Sequence, residues 1–246
     1  MSPAQPPDDR VAGDEVRHRR MKAGLFIAAG LLVAVGAAWF LLMLASVTGD
    51  FDLARADRPL LAWLVQHRTP VLTAVTSVTA TVSGPVGMPI IVLVATVVWS
   101  LTSRRLWRPV LLASAMILGV LLVFVITHLV GRPRPPGNLM LMGFDPTSSF
   151  PSGHAVGVGD FLLAGGYLIC SRVWSMWRIV LCAVVAVAGI LWVDFSRLYL
   201  GYHWLTDIAA ALGLSVAVLG LVIGADAWRQ ARGERYAHTR TKEFHW

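Results

Sequence analysis

The stretch SRLYLGYHWLTD, residues 196–207, decides how this chain reads. It joins two long apolar runs, yet it holds an arginine, a histidine and an aspartate. Ionisable groups are costly beside hydrocarbon, so their placement at such a junction points to work rather than packing.

The composition says what the flanking runs are. Of 246 residues, 56% are hydrophobic and only 14% are charged, where a soluble domain carries about 25% charged residues. The mean hydropathy is +0.65. A membrane helix needs roughly 20 mostly apolar residues. Six such runs are expected, at about 23–48, 86–102, 109–130, 153–170, 178–195 and 203–225. The predicted fold is therefore all-α, a polytopic bundle of six transmembrane helices. Residues 1–22 read as a disordered cytoplasmic tail, 23–226 as one membrane domain, and 227–246 as a basic cytoplasmic tail. The apolar run after residue 22 exceeds the length of a signal-peptide core, so it reads as an uncleaved span. Between the first two spans, residues 49–85 are too polar at their start to cross. Their later part is expected to form an interfacial or partly buried helix.

The formal net charge of +7 is distributed in clusters. Arg17, Arg19, Arg20 and Lys22 precede the first run. Arg104, Arg105 and Arg108 separate two later runs, as do Arg172 and Arg178. Arg229, Arg232, Arg235, Arg240 and Lys242 follow the last. Placed on one side, these orient both termini to the cytoplasm. Scattered among spans, they do not form a nucleic-acid-binding surface, and the expected surroundings are the bilayer. Cys170 and Cys182 flank a loop on the same, reducing side and lack metal-site spacing, so neither a disulfide nor a metal is expected.

This topology gathers the remaining polar motifs on the outer face. The first is GRPRPP, residues 131–136, where Arg132 and Arg134 alternate with prolines. At period two they can point the same way, although alone they read as arginines reaching for head groups. The second is PSGH, residues 151–154. Ser152 is a natural N-cap, Gly153 allows close backbone approach, and a helix start favours an anion beside His154. The third is the opening stretch. Four residues separate His203 from Asp207, which puts them on one helical face. The carboxylate can hold one imidazole nitrogen and leave the other free to attack. Tyr199, Tyr202 and Trp204 also suit an interfacial aromatic belt. Two guanidiniums, a helix N-terminus, two histidines and a carboxylate fit a tetrahedral phosphate. Asp160, inside the fourth span, is expected to pair with an arginine, and Asp194 to be solvated at the boundary.

These residues resemble the type 2 phosphatidic acid phosphatase superfamily of membrane lipid phosphatases. Its signatures are Lys-x6-Arg-Pro, Pro-Ser-Gly-His and Ser-Arg-x5-His-x3-Asp. The chain has Arg134-Pro135, then Pro151-Ser152-Gly153-His154, then Ser196-Arg197 with His203 and Asp207. The likeness covers about 85–225. One position departs: Thr127 stands where the family has lysine. His128 or Arg132 could supply that charge at another angle; otherwise binding weakens, the substrate differs, or activity is lost. The resemblance implies a metal-independent and cofactor-free hydrolase. His203, held by Asp207, would attack phosphorus, and His154 would act as acid and then base. Arg134, Arg197, Ser152 and Gly153 would hold the oxygens. The implied substrate is a lipid phosphate or diphosphate at the outer face of a bacterial inner membrane, of polyprenyl diphosphate, phosphatidic acid or phosphatidylglycerol phosphate type. The competing readings are a lipid phosphotransferase, a transporter and an inactive scaffold. A transporter would spread its charges through broken mid-membrane helices, whereas here they collect at one face. The sequence does not set an oligomeric state.

Overall fold

The computed structural model of the chain describes residues 9–49, 52–103, 106–171 and 175–242, with side chains described over 21–49, 52–103, 106–171 and 175–232. Arg104, Arg105 and Arg172 lie outside the described residues. So do the side chains of Arg17, Arg19, Arg20, Arg235, Arg240 and Lys242.

Every regular element among the described residues is helical: α1 Asp9–Thr48, α2 Asp57–Gln66, α3 Pro70–Val82, α4 Gly87–Thr102, α5 Trp107–Val130, α6 Gly153–Cys170, α7 Met176–Tyr199 and α8 Leu205–Lys242. Short 3-10 turns at Asp52–Ala56 and Gly137–Leu139 complete them. Five helices are long and apolar enough to cross a membrane. The expected second span is not one of them. At 16 residues, α4 reaches about 24 Å, short of the roughly 30 Å hydrocarbon core. A sixth span exists only if α3 and α4, bent by 54° at Ser83–Val86, are taken together. Helix α1 begins at Asp9, ahead of the apolar run expected from about 23. Extending an already nucleated helix is cheap, so the polar stretch continues the span behind it.

The most central helix is α6, which packs on α5, α7 and α8. Leu111, Leu112 and Ala115 of α5 meet Ala164 and Leu168 of α6 and Val218 and Val222 of α8 in the core. Around this core the bundle is apolar outward as well. Ile27, Leu31 and Val35 of α1, Ile117 and Phe124 of α5, and Val184 and Leu191 of α7 are all exposed, as lipid-facing surfaces require.

The first span, α1, lies along α8. Backbone touches backbone there because the residues between are glycines. A Cβ on Gly36 would sit 2.5 Å from the Ala217 nitrogen, and one on Gly220 2.7 Å from the Ala29 oxygen. Small residues allow this approach, which drives helix association in lipid through packing and polar contacts. Trp39 Nε1 fixes the register by donating to the Ala209 carbonyl at 2.8 Å. On the opposite flank α7 docks on α3. Ser196 Oγ donates to the Thr76 carbonyl at 2.9 Å, and Trp192 Nε1 to Thr79 Oγ1 at 3.0 Å.

Candidate active site

Chain-ending signals build the site. Gly131 closes α5 in the left-handed region, φ +60, and the prolines at 133, 135 and 136 prevent the helix from resuming. The chain then runs across the end of the bundle and returns at α6. Ser152 caps α6, its Oγ accepting from the Ala155 amide at 3.4 Å. Gly153 is exposed at the helix mouth, with only Val123 within ordinary contact of a would-be Cβ. The turn from α7 to α8 passes through Gly201 at φ +81, where any Cβ would strike the Leu139 carbonyl.

His203 stands in this turn, two residues ahead of α8, rather than on the helical face that its spacing suggests. It is 2% exposed. Its Nδ1 lies 2.8 Å from the Ser149 carbonyl, which can only accept, so Nδ1 carries the proton. Asp207 Oδ2 is 3.5 Å from the same nitrogen, too far for a good hydrogen bond but close enough for electrostatic support. The orienting acceptor is thus a backbone carbonyl, with the carboxylate behind it. Burial above all pulls the His203 pKa down to about 4; the Asp207 contact opposes this, while Arg197 and Arg134 add to it. At neutral pH the ring is uncharged, and its Nε2 lone pair is available.

Arg134 faces that lone pair, with Nη1 3.3 Å from Nε2. Its other donors are engaged too. Nη1 also donates to the Tyr202 carbonyl at 2.8 Å, Nε to the Thr147 carbonyl at 3.0 Å, and Nη2 to Thr147 Oγ1 at 2.9 Å. Nη2 further pairs with Asp145 Oδ2 at 2.9 Å. Arg197 is the contrast. It is 4% exposed, its Nε has no hydrogen-bond partner, and its guanidinium lies 4.5 Å from the centre of the Tyr202 ring. Among the described residues no carboxylate forms an ion pair with it, and Asp145 reaches it only through its field.

His154 sits in the first turn of α6 against the α3–α4 bend. The backbone of Ala80 is its hydrogen-bond partner, and its Nε2 would be 3.3 Å from a Cβ on Gly84. It lies in the electrostatic field of Arg197, His203 and Arg134. His154, His203, Arg134 and Arg197 therefore converge on one end of the bundle, together with Ser152 and the Gly153 helix start.

Other expected members are placed elsewhere. Arg132 does not face the pocket. Its Nη2 pairs with Asp57 Oδ2 at 2.7 Å, and its Nη1 with Asp207 Oδ1 and, at 2.7 Å, with Thr206 Oγ1. Two buried carboxylates outcompete a position beside another arginine. His128 is exposed on α5, its Nδ1 2.7 Å from the Phe124 carbonyl and its ring against Phe124. Thr127, half-buried one residue earlier, contributes its carbonyl to the Gly131 amide. Among the described residues, neither contacts His154, His203, Arg134 or Arg197. Tyr199 and Tyr202 are not belt anchors but buried supports. Tyr202 Oη donates to the Gly143 carbonyl at 2.5 Å, and Tyr199 Oη accepts from the Thr69 amide at 2.7 Å. Among the described residues Asp160 pairs with no arginine. Both its oxygens are buried without a hydrogen-bond partner, next to Gly119 and Ser215. Asp194 is likewise buried rather than solvated. Cys170 and Cys182 are free thiols with sulfur atoms 2.8 Å apart.

Three participants carry no sequence motif: Asp57, Asp145 and the Ser149 carbonyl. Asp57, 3% exposed, accepts from Arg132, from the Thr206 amide at 3.0 Å and from Thr206 Oγ1 at 2.7 Å. Asp145 accepts from the Thr147 amide at 3.0 Å and its hydroxyl at 2.7 Å. The only available signal was the turn chemistry of Asp-Pro-Thr.

The fold, with two arginines and two histidines gathered at one end of its bundle, defines a multi-pass helical membrane protein. Residues 108–231 match the model of the PAP2 superfamily, and the chain belongs to that family. It is 30% identical over 140 residues to the putative undecaprenyl-diphosphatase YbjG of Escherichia coli (strain K12), covering 56% of this chain and 64% of that protein's length, which is under two thirds. It is 26% identical over 190 residues to phosphatidylglycerophosphatase B of Bacillus subtilis (strain 168), covering 76% and 91%. Among solved structures, the transmembrane PAP2 type phosphatidylglycerolphosphate phosphatase from Bacillus subtilis superposes with a TM-score of 0.70 at 20% identity, covering 79% of this chain and 95% of the other. Aquifex aeolicus LpxE gives 0.51 at 17% identity, covering 74% and 99%. At these identities the two structures speak for the fold.

Proposed function

We propose that the chain is a lipid phosphatase that works through a phosphohistidine on His203, without a metal. The observation that carries this reading is the Nδ1 contact to the Ser149 carbonyl, which fixes the tautomer and leaves Nε2 with its lone pair facing the Arg134 guanidinium. Nε2 attacks phosphorus, and the bond from phosphorus to the leaving oxygen breaks. His154 gives that oxygen its proton. Water then attacks the phosphohistidine, His154 takes the water's proton, and the N–P bond breaks to release phosphate. Arg134, Arg197, Ser152 and the Gly153 amide hold the equatorial oxygens as charge builds. The fixed guanidiniums supply the positive charge that a metal gives elsewhere.

With the basic clusters in the cytoplasm, the site opens on the outer side of the cell membrane. A substrate with its phosphate in water and its tail in lipid suits that depth. A polyprenyl diphosphate is the first choice, supported by the name of the Escherichia coli relative; phosphatidylglycerol phosphate is the next to assay, after the Bacillus subtilis one.

The test is phosphate release by detergent-purified protein from a panel of lipid mono- and diphosphates, with a chelator present. The wild type releases phosphate from at least one, and His203→Ala from none. Equal rates would remove His203 as nucleophile. Adding a lipid alcohol acceptor separates a transferase from a hydrolase.

A further inference from the structure

The loop between α5 and α6 places a carboxylate where an incoming phosphate has to act. Asp145 Oδ2 lies 2.9 Å from Arg134 Nη2, and its charge also interacts with His203 and with Arg197. It therefore sits in the field of three of the groups that a phosphate needs. Two contacts to Thr147 hold it there. Its side chain is 31% exposed, against 10% for Arg134, so it has water to move into. Burial pushes the Asp145 carboxyl up, but the Thr147 amide and hydroxyl, with Arg134, outweigh this and keep it below the usual carboxylate range.

Arg134 has no idle donor direction in this arrangement. Two carbonyls, one hydroxyl, one carboxylate and the His203 lone pair take its guanidinium. That last contact covers the atom that must attack. For the reaction to start, Arg134 has to turn from Nε2 and exchange an acceptor for substrate oxygen.

We propose that Asp145 is a built-in competitor for the substrate anion: it holds Arg134 over His203 Nε2 until a phosphate displaces it. This deepens the phosphatase reading and rests on it for the role of His203. Arg197, which lacks such a partner at Nε, makes the first contact with the phosphate. The dianion then replaces Asp145 at Arg134, Asp145 swings toward water, and Nε2 is uncovered. A single carboxylate charge is a weaker partner for guanidinium than a phosphate dianion, so the exchange runs forward only for a sufficiently charged head group.

The experiment reads a sign. Binding of inorganic phosphate to detergent-purified protein is measured by titration calorimetry for wild type and Asp145→Asn, which keeps an acceptor for Thr147. Removing the competing charge tightens phosphate binding roughly three- to tenfold, and KM for the lipid substrate falls in the same proportion. If Asp145 only orients Arg134, binding weakens instead, and an unchanged or weaker constant overturns the proposal. Should Asp145→Asn not fold, Asp145→Ser gives the decision, since it removes the charge and leaves the Thr147 contacts of Arg134 in place; tighter binding supports the competitor role and weaker binding refutes it. Phosphate binding requires no turnover, so this result is independent of the His203→Ala comparison that tests the phosphatase reading.

Discussion

Replacing Asp57 with alanine should cripple a site that Asp57 never touches. The carboxylate is 3% exposed and has three donors on it: Arg132 Nη2 at 2.7 Å, the Thr206 amide at 3.0 Å and Thr206 Oγ1 at 2.7 Å. Removing one partner of a buried pair leaves the other charge uncompensated, at a cost of about 3–5 kcal/mol. Arg132 is 12% exposed and retains Asp207, so the low end applies, about 3 kcal/mol. For a chain of this size that lowers Tm by roughly 6–12 °C. The orphaned arginine then draws harder on Asp207, whose second oxygen is already 3.5 Å from His203. Losing about 1.4 kcal/mol of support for the charge that develops on His203 lowers kcat roughly tenfold. The assay is thermal unfolding in detergent plus phosphate release, for Asp57→Ala, Arg132→Met and the double variant. Because Asp57 and Arg132 share one pair, the double variant should lose less than the sum of the two, by about 1–3 kcal/mol. Strict additivity, or an Asp57→Ala protein with the melting point and rate of the wild type, would refute the linkage.

Two further outcomes are expected. With a substrate whose phosphate keeps one charge state over the range, kcat/KM should hold its plateau as pH drops past 6.5 and fall tenfold per unit only below about 4, where His203 takes a proton; an acid limb at 6–7 would contradict the buried, neutral ring. The same shift adds folding stability that is fully present above about 6.5 and is lost as pH falls toward about 4. Gly119→Ala should destabilise the protein by about 1–3 kcal/mol, because the new methyl overlaps Asp160 Oδ2 and lies 3.2 Å from Val156 Cγ1; adding Asp160→Ser should restore part of the loss in a thermal melt, and no rescue would show that the overlap is not the cause.

The apolar runs and the three motifs made the bundle and most of the site legible. Spans at 109–130 and 153–170 coincide closely with α5 and α6, because long unbroken hydrophobic runs leave a helix no alternative in lipid. The broken α3–α4 pair was harder to read. Composition distinguishes polar from apolar but does not reveal that two short helices meet at 54°. The two arginines and two histidines that converge were readable because each sits in a motif at a span boundary. The partners that hold them were not. Asp57 contacts Thr206 across 149 positions, and Arg134 meets Tyr202 across 68. Long-range pairings of this kind leave no local pattern. Arg132 shows the same lesson in reverse: its alternation with Arg134 suggested a shared direction, but the carboxylates on α2 and α8 decided otherwise.

The glycine seam between α1 and α8 ties the order of synthesis to the completion of the site. During synthesis α1 emerges well before α8, the helix it lies along, and α8 begins just beyond His203. Until α8 follows, Gly36 lacks the Ala217 backbone it lies against, and His203 lacks Asp207. The chemistry proposed at His203 thus waits on α8, and a chain still short of that helix lacks the carboxylate behind the ring.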